Sequence, residues 1–123
     1  MYKMKVIKSF AFACNGFKIC FTSETNFKIH LLLAAATVLL GFILPISHTE
    51  WVAIIGCIAL VTALEMINTA LEKLCDVVHK DHHTGIKKVK DIAAGAVLVA
   101  AGCSFIIGLI IFLPKIILLI KSL

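Results

Sequence analysis

Three long apolar runs set the pattern of this chain. Residues 29–46 form the first, 18 positions with no acid and no lysine. At about 1.5 Å per residue that is at the short end for a membrane crossing, with Lys28 and His30 able to snorkel at its entrance. Pro45, Ser47, His48 and Thr49 predict a short turn, which sets a second helix antiparallel to the first. That helix is expected over 51–78. Trp51 stands as an interfacial anchor, 52–64 is apolar, and 65–78 keeps the helical pattern while taking in Glu65, Asn68, Glu72, Lys73 and Asp76. Residues 79–91 read as a polar linker with four lysines and three histidines. The third run, 92–113, holds 22 uncharged residues, and Pro114 with Lys115 marks its far end.

The first 22 residues follow another pattern. Val6, Phe10, Cys14, Phe17 and Phe21 recur three or four apart and share one helical face, with Lys5, Lys8, Asn15 and Lys18 on the other side. This predicts an amphipathic helix lying in the membrane surface. A signal peptide is not indicated, because there is neither a clean apolar core nor a small-residue cleavage site. Residues 23–26 read as the break before the first crossing. The expected fold is therefore an all-α integral membrane protein, one domain over 1–123, with three transmembrane helices and an N-terminal surface helix.

Composition agrees. The chain is 61% hydrophobic and 15% charged, with a mean hydropathy of +1.06. A water-soluble domain of this size has no means of burying so much apolar surface. All twelve basic residues are lysine, and the net charge is +5. The lysines flank apolar runs, and no arginine is present for bidentate recognition, so anionic headgroups and phosphates are indicated and nucleic acid is not. With three crossings, ten lysines fall on the side of the N-terminus and the 79–91 linker, against Lys115 and Lys121 on the other. The positive-inside rule then makes the N-terminus cytoplasmic. Five dispersed cysteines without a CxxC pair read as small buried apolar residues. His79, His82 and His83 read as a solvated loop, lacking a further metal ligand at useful spacing.

The candidate chemistry lies on the second helix. At 100° per residue, Glu65, Asn68, Glu72 and Asp76 fall at about 0°, −60°, −20° and +20°, one stripe descending roughly 16 Å toward the cytoplasm. A solvated helix end accounts for Asp76 and Lys73. It does not account for Glu65, which Ala63, Leu64, Met66 and Ile67 surround with apolar side chains, and intramembrane carboxylates of this kind are functional by default. A deep carboxylate suits a general base toward a lipid hydroxyl. Shallower ones suit Mg2+, and Lys90 stands where a triphosphate needs countercharge. No GxxxxGK[ST] loop is present. The non-enzymatic alternative is a small proton-coupled transporter in which Glu65 titrates. A second alternative is a structural assembly factor, for which the small residues of 93–102 suit close helix packing, as they equally do for an enzyme of associating chains.

The segment from Glu65 through Asn68 and Glu72 to Asp76, followed by Lys90-Asp91-Ile-Ala-Ala-Gly-Ala-Val and preceded by Ser23-Glu24-Thr-Asn26-Phe27-Lys28-Ile-His30, resembles the prokaryotic diacylglycerol kinase family. The similarity runs from about Phe10 to Pro114. It implies a bacterial inner-membrane lipid kinase using ATP and Mg2+, a homotrimer with active sites between subunits, and diacylglycerol or undecaprenol as the acceptor. By motif, it implies Glu65 as the catalytic base and Glu24 with Glu72 as metal ligands. Asn68, Lys90 and Asp91 are then expected in the nucleotide and phosphate site, with Asp81 and His83 in the linker that approaches the nucleotide. Lys28-Ile29-His30 stands where the enteric diacylglycerol kinase branch tends to carry Arg-Gln-Glu, and this form is more similar to the undecaprenol kinase branch.

Overall fold

The computed structural model describes all 123 residues and is entirely helical. Its helices are α1 (Tyr2–Ser23), α2 (Thr25–Ile43), α3 (His48–Val78) and α4 (Thr84–Lys121). The last three are each long and apolar enough to cross a membrane. α3 is the central element. α4 packs along it most extensively, α2 lies against it elsewhere, and α1 touches both α2 and α3, while the backbones of α2 and α4 do not approach each other. At about 1.5 Å per residue, α3 and α4 reach roughly 46 and 57 Å, well beyond a hydrocarbon core of about 30 Å. Both are therefore longer than one crossing requires.

The helices depart from the expected bounds in instructive places. The break between α1 and α2 is a single residue, Glu24 (φ −120°, ψ 114°), and α2 is already helical at Thr25. α2 stops at Ile43, two residues before Pro45, and Ser47 starts α3 with a capping box. The Glu50 N–H donates to Ser47 Oγ at 3.1 Å, and the Ser47 N–H donates to Glu50 Oε1 at 3.0 Å. His48 and Thr49 thus belong to α3 and not to the turn.

α4 differs most. The linker expected over 79–91 is non-helical only at 79–83, because the His83 imidazole takes the N-cap position: its Nδ1 accepts from the N–H of Gly85 at 3.0 Å and of Ile86 at 3.4 Å. At the other end, α4 runs through Pro114 to Lys121. Proline withdraws one backbone donor, which leaves the Ile110 carbonyl without its partner four residues on. Lys115 Nζ reaches the Ile111 carbonyl at 3.5 Å and bonds Glu50 at 2.9 and 3.1 Å, tying the end of α4 to the start of α3.

Only 14 of the 123 residues are buried, so most of the apolar surface remains for lipid or for other copies of the chain. The main cluster lies at the Glu50 end, where Leu44, Ile54, Ile111 and Phe112 pack with Leu40, Ile58 and Ile107. Trp51 lies across Gly41 there, its ring 5.0 Å from that of Phe42. A Cβ on Gly41 would stand 2.8 Å from the Trp51 ring, inside contact distance. Gly41→Val is accordingly expected to destabilise the α2–α3 contact by about 1–3 kcal/mol, the usual cost of overpacking. A lowered thermal midpoint in detergent, followed by helical circular dichroism, checks this; an unchanged midpoint would show that the ring moves aside freely.

Candidate active site

Glu65 is the buried acid of the structure, with 5% of its surface exposed. Its carboxylate meets the imidazole of His30, Nε2 to Oε1 at 3.1 Å. His30 stands in the second turn of α2 and Glu65 a little past the middle of α3, so the pair crosses the α2–α3 contact. Glu24 and Glu72 are the other carboxylates whose charge reaches Glu65. Glu24 occupies the N-cap position of α2 but makes no side-chain capping bond, which leaves its carboxylate unused by the fold. Glu72 is held from one turn earlier on α3, where Asn68 Nδ2 donates to its Oε1 at 3.3 Å. Asn68 Oδ1 is buried and has no partner, so an oxygen acceptor stands beside Glu72 for a donor or a cation.

The single-residue break explains how α1 and α2 deliver Glu24 here. Phe27, three residues further on, is fully buried and meets Phe17 of α1 edge to face, centroids 5.1 Å apart at 75°. Lys28 Nζ lies 5.7 Å from the centre of the Phe21 ring. These contacts fix α1 against the first turns of α2, the turns that carry Glu24 and His30.

Of the expected site residues, Glu65, Asn68 and Glu72 stand within two turns on α3, Asn68 bonded to Glu72, and Glu24 is near enough for its charge to act on Glu65. The others make their polar contacts elsewhere. Lys90 bonds Asp76 at 2.7 Å, joining the start of α4 to the end of α3. Both side chains are substantially exposed, and such pairs exchange readily for a better anion. Asp91 pairs with Lys87 one turn away at 2.6 Å. In the 79–83 loop the Asp81 carbonyl accepts from His79 Nδ1 at 3.0 Å, and His83 caps α4. The stripe is thus divided in use, with Glu65 facing α2 and Asp76 serving α4.

Between α2 and α4, over α3, an apolar groove of about 510 Å³ opens. Leu33, Leu40, Ile58, Val61, Phe105 and Phe112 are among its walls, and His30 lines it too. The groove exists because α2 and α4 both lean on α3 without meeting. The arrangement is a buried acid–imidazole pair beside an apolar channel, with further carboxylates and a lysine toward the polar end of α3. It suits proton removal from an amphiphile whose chain lies in the apolar part.

His30 is the site residue that pattern reading gave no role beyond snorkelling. A signal for it was present. His30 lies 14 residues before the end of the α2–α3 turn's first residue, Leu44, and Glu65 lies 18 after Ser47. Two antiparallel helices place them about 21 and 27 Å from that turn, roughly one helical turn apart in level.

The family model for prokaryotic diacylglycerol kinase matches residues 11–112. The undecaprenol kinase of Bacillus subtilis (strain 168) is 42% identical over 111 residues, 90% of this chain and 90% of the relative. The diacylglycerol kinase of Synechocystis sp. is 34% identical over 110 residues, 89% of this chain and 63% of the relative. That of Haemophilus influenzae is 30% identical over 95 residues, 77% of this chain and 80% of the relative. These matches leave the transporter alternative without support. With its membrane helices and the buried carboxylate between them, the chain belongs to the prokaryotic diacylglycerol kinase family and is an ATP-dependent lipid kinase.

Proposed function

We propose that this lipid kinase phosphorylates the terminal hydroxyl of a long-chain membrane alcohol of the undecaprenol kind, using ATP and Mg2+. It works as a homotrimer in the bacterial cytoplasmic membrane, its N-terminus in the cytoplasm. The observation that carries the reading is Glu65, a carboxylate buried between membrane helices whose imidazole partner also lines an apolar groove. The 42% identity to an undecaprenol kinase supports the alcohol over diacylglycerol. The many exposed large apolar residues support association between copies.

The lipid hydroxyl approaches Glu65, which accepts its proton as the hydroxyl oxygen bonds to the γ-phosphorus. The bond from that phosphorus to the β–γ bridging oxygen breaks, and ADP leaves. Lys90 turns from Asp76 to the phosphates, and Asn68, Asp91, Asp81 and His83 contribute to the nucleotide site, His83 through the helix start it caps. Glu24 and Glu72 are the residues to hold Mg2+. The chain gathers no group of three His, Cys, Asp or Glu side chains suited to a metal. Glu72, beside a buried, unpartnered amide oxygen, nevertheless fits this cation, which takes oxygen ligands and commonly shares them with substrate phosphates. When bound, it neutralises charge on the transferring phosphoryl group.

Transfer of labelled γ-phosphate from ATP, measured in mixed micelles with undecaprenol and diacylglycerol side by side, tests the proposal. Label is expected on both lipids, faster on undecaprenol, and on neither after chelation of Mg2+. Faster labelling of diacylglycerol would overturn the acceptor, and transfer that survives chelation would overturn the metal.

A further inference from the structure

We propose that His30 is a positioning residue for this reaction: its Nε2–H holds Oε1 of Glu65 and leaves the second carboxylate oxygen to take the proton of the lipid hydroxyl. This rests on the assignment of Glu65 as the base.

Three observations lead here. First, His30 is the one side chain in ion-pair contact with Glu65, Nε2 to Oε1 at 3.1 Å, and it comes from a different helix. A carboxylate rotor buried among apolar groups has no water to orient it, and a donor fixed on a second helix does so at no entropic cost during the reaction. Second, the buried charge of Glu65 has only like charges, Glu24 and Glu72, around it otherwise. An unpaired buried carboxylate is costly, and the His30 contact is the one that offsets that cost. Third, the His30 ring is about a quarter exposed and lines the apolar groove. An alcohol whose chain occupies that groove therefore passes the imidazole on its way to Glu65. Base, orienting donor and channel follow one another in space, the order that an oriented general base needs.

The atoms of the side chain make the test specific. Gln places its amide nitrogen at the end of the same bond path from Cβ as the imidazole Nε2, whereas Asn reaches only as far as Nδ1. Transfer to undecaprenol is measured for wild type, His30→Ala, His30→Asn, His30→Gln and Glu65→Gln. Helical content and detergent elution are checked for each. His30→Ala and His30→Asn are expected to lose about 100-fold in kcat, the effect of a misplaced reacting group, with KM for ATP unchanged. His30→Gln is expected to recover at least about tenfold of that loss, as a retained bond to a charged group does. Equal loss in the Gln and Asn variants would overturn the donor role, and so would full activity in His30→Ala. If Glu65→Gln is itself fully active, the base assignment falls instead, and the two failures are distinct.

Discussion

Glu65→Gln protein is expected to fold and bind ATP as wild type does, yet to transfer phosphate slower by about 10²–10⁴-fold, the range that a positioned general base contributes. The substitution keeps shape and keeps an oxygen for His30 Nε2 at the present 3.1 Å. It removes one thing, the capacity to accept a proton from the lipid. Because Glu65 is 5% exposed, no bulk water reaches the carboxylate to replace that function. The removal of a buried charge also relieves a desolvation cost, so stability is expected to hold or rise while activity is lost. Single-turnover transfer with ATP in excess reads the chemical step directly. A rate within about threefold of wild type would reassign the base, since a base is expected to contribute far more than that.

Phe27→Ala is expected to produce the largest loss of stability among single substitutions in this chain. Phe27 is its one large side chain with no exposed surface, and its ring packs edge to face on Phe17. Truncation removes those contacts and leaves a cavity, costing about 3–5 kcal/mol by the usual range for buried phenylalanine. In a chain of this length that lowers the thermal midpoint by on the order of 10 °C or more. Activity should fall as well, beyond what unfolding explains. Glu24 and His30 flank Phe27 by three residues on either side, and both depend on α1 being held against α2. Phe27→Leu fills most of the space and is expected to recover most of the midpoint. Thermal scans in detergent, paired with transfer rates well below the midpoint, separate the two effects. Equal midpoints for Phe27→Ala and wild type would show that lipid or detergent fills the cavity.

Much of the fold is legible from pattern because its physical origin is local. Lipid is the solvent for runs 29–46, 52–64 and 92–113, and uncharged length marks the first and third, while Trp51 and the helical pattern continuing over 65–78 mark the second. The elements that pattern misplaces are those whose ends depend on individual side chains. His83 is an uncommon N-cap, so the early start of α4 at Thr84 has no ordinary sequence signature. Pro114 is an ordinary stop signal, overridden by the packing of Ile111 and Phe112 and by the Lys115–Glu50 pair. Asp76 sits on the stripe by helical spacing, and spacing does not tell that its partner is Lys90 of another helix.

The amino-acid sequence by itself determined the membrane as solvent, the number of crossings and the helical face that carries Glu65, Asn68 and Glu72. Each of these follows from hydropathy or from the 100° period of one helix. Tertiary structure alone decided that Glu65 is answered by His30, that the charge of Glu24 at a one-residue break acts on Glu65, and that an apolar groove opens where α2 and α4 fail to meet. Periodicity assigns a residue an angle about its own axis. What that angle faces is set by how helices distant in sequence settle against one another.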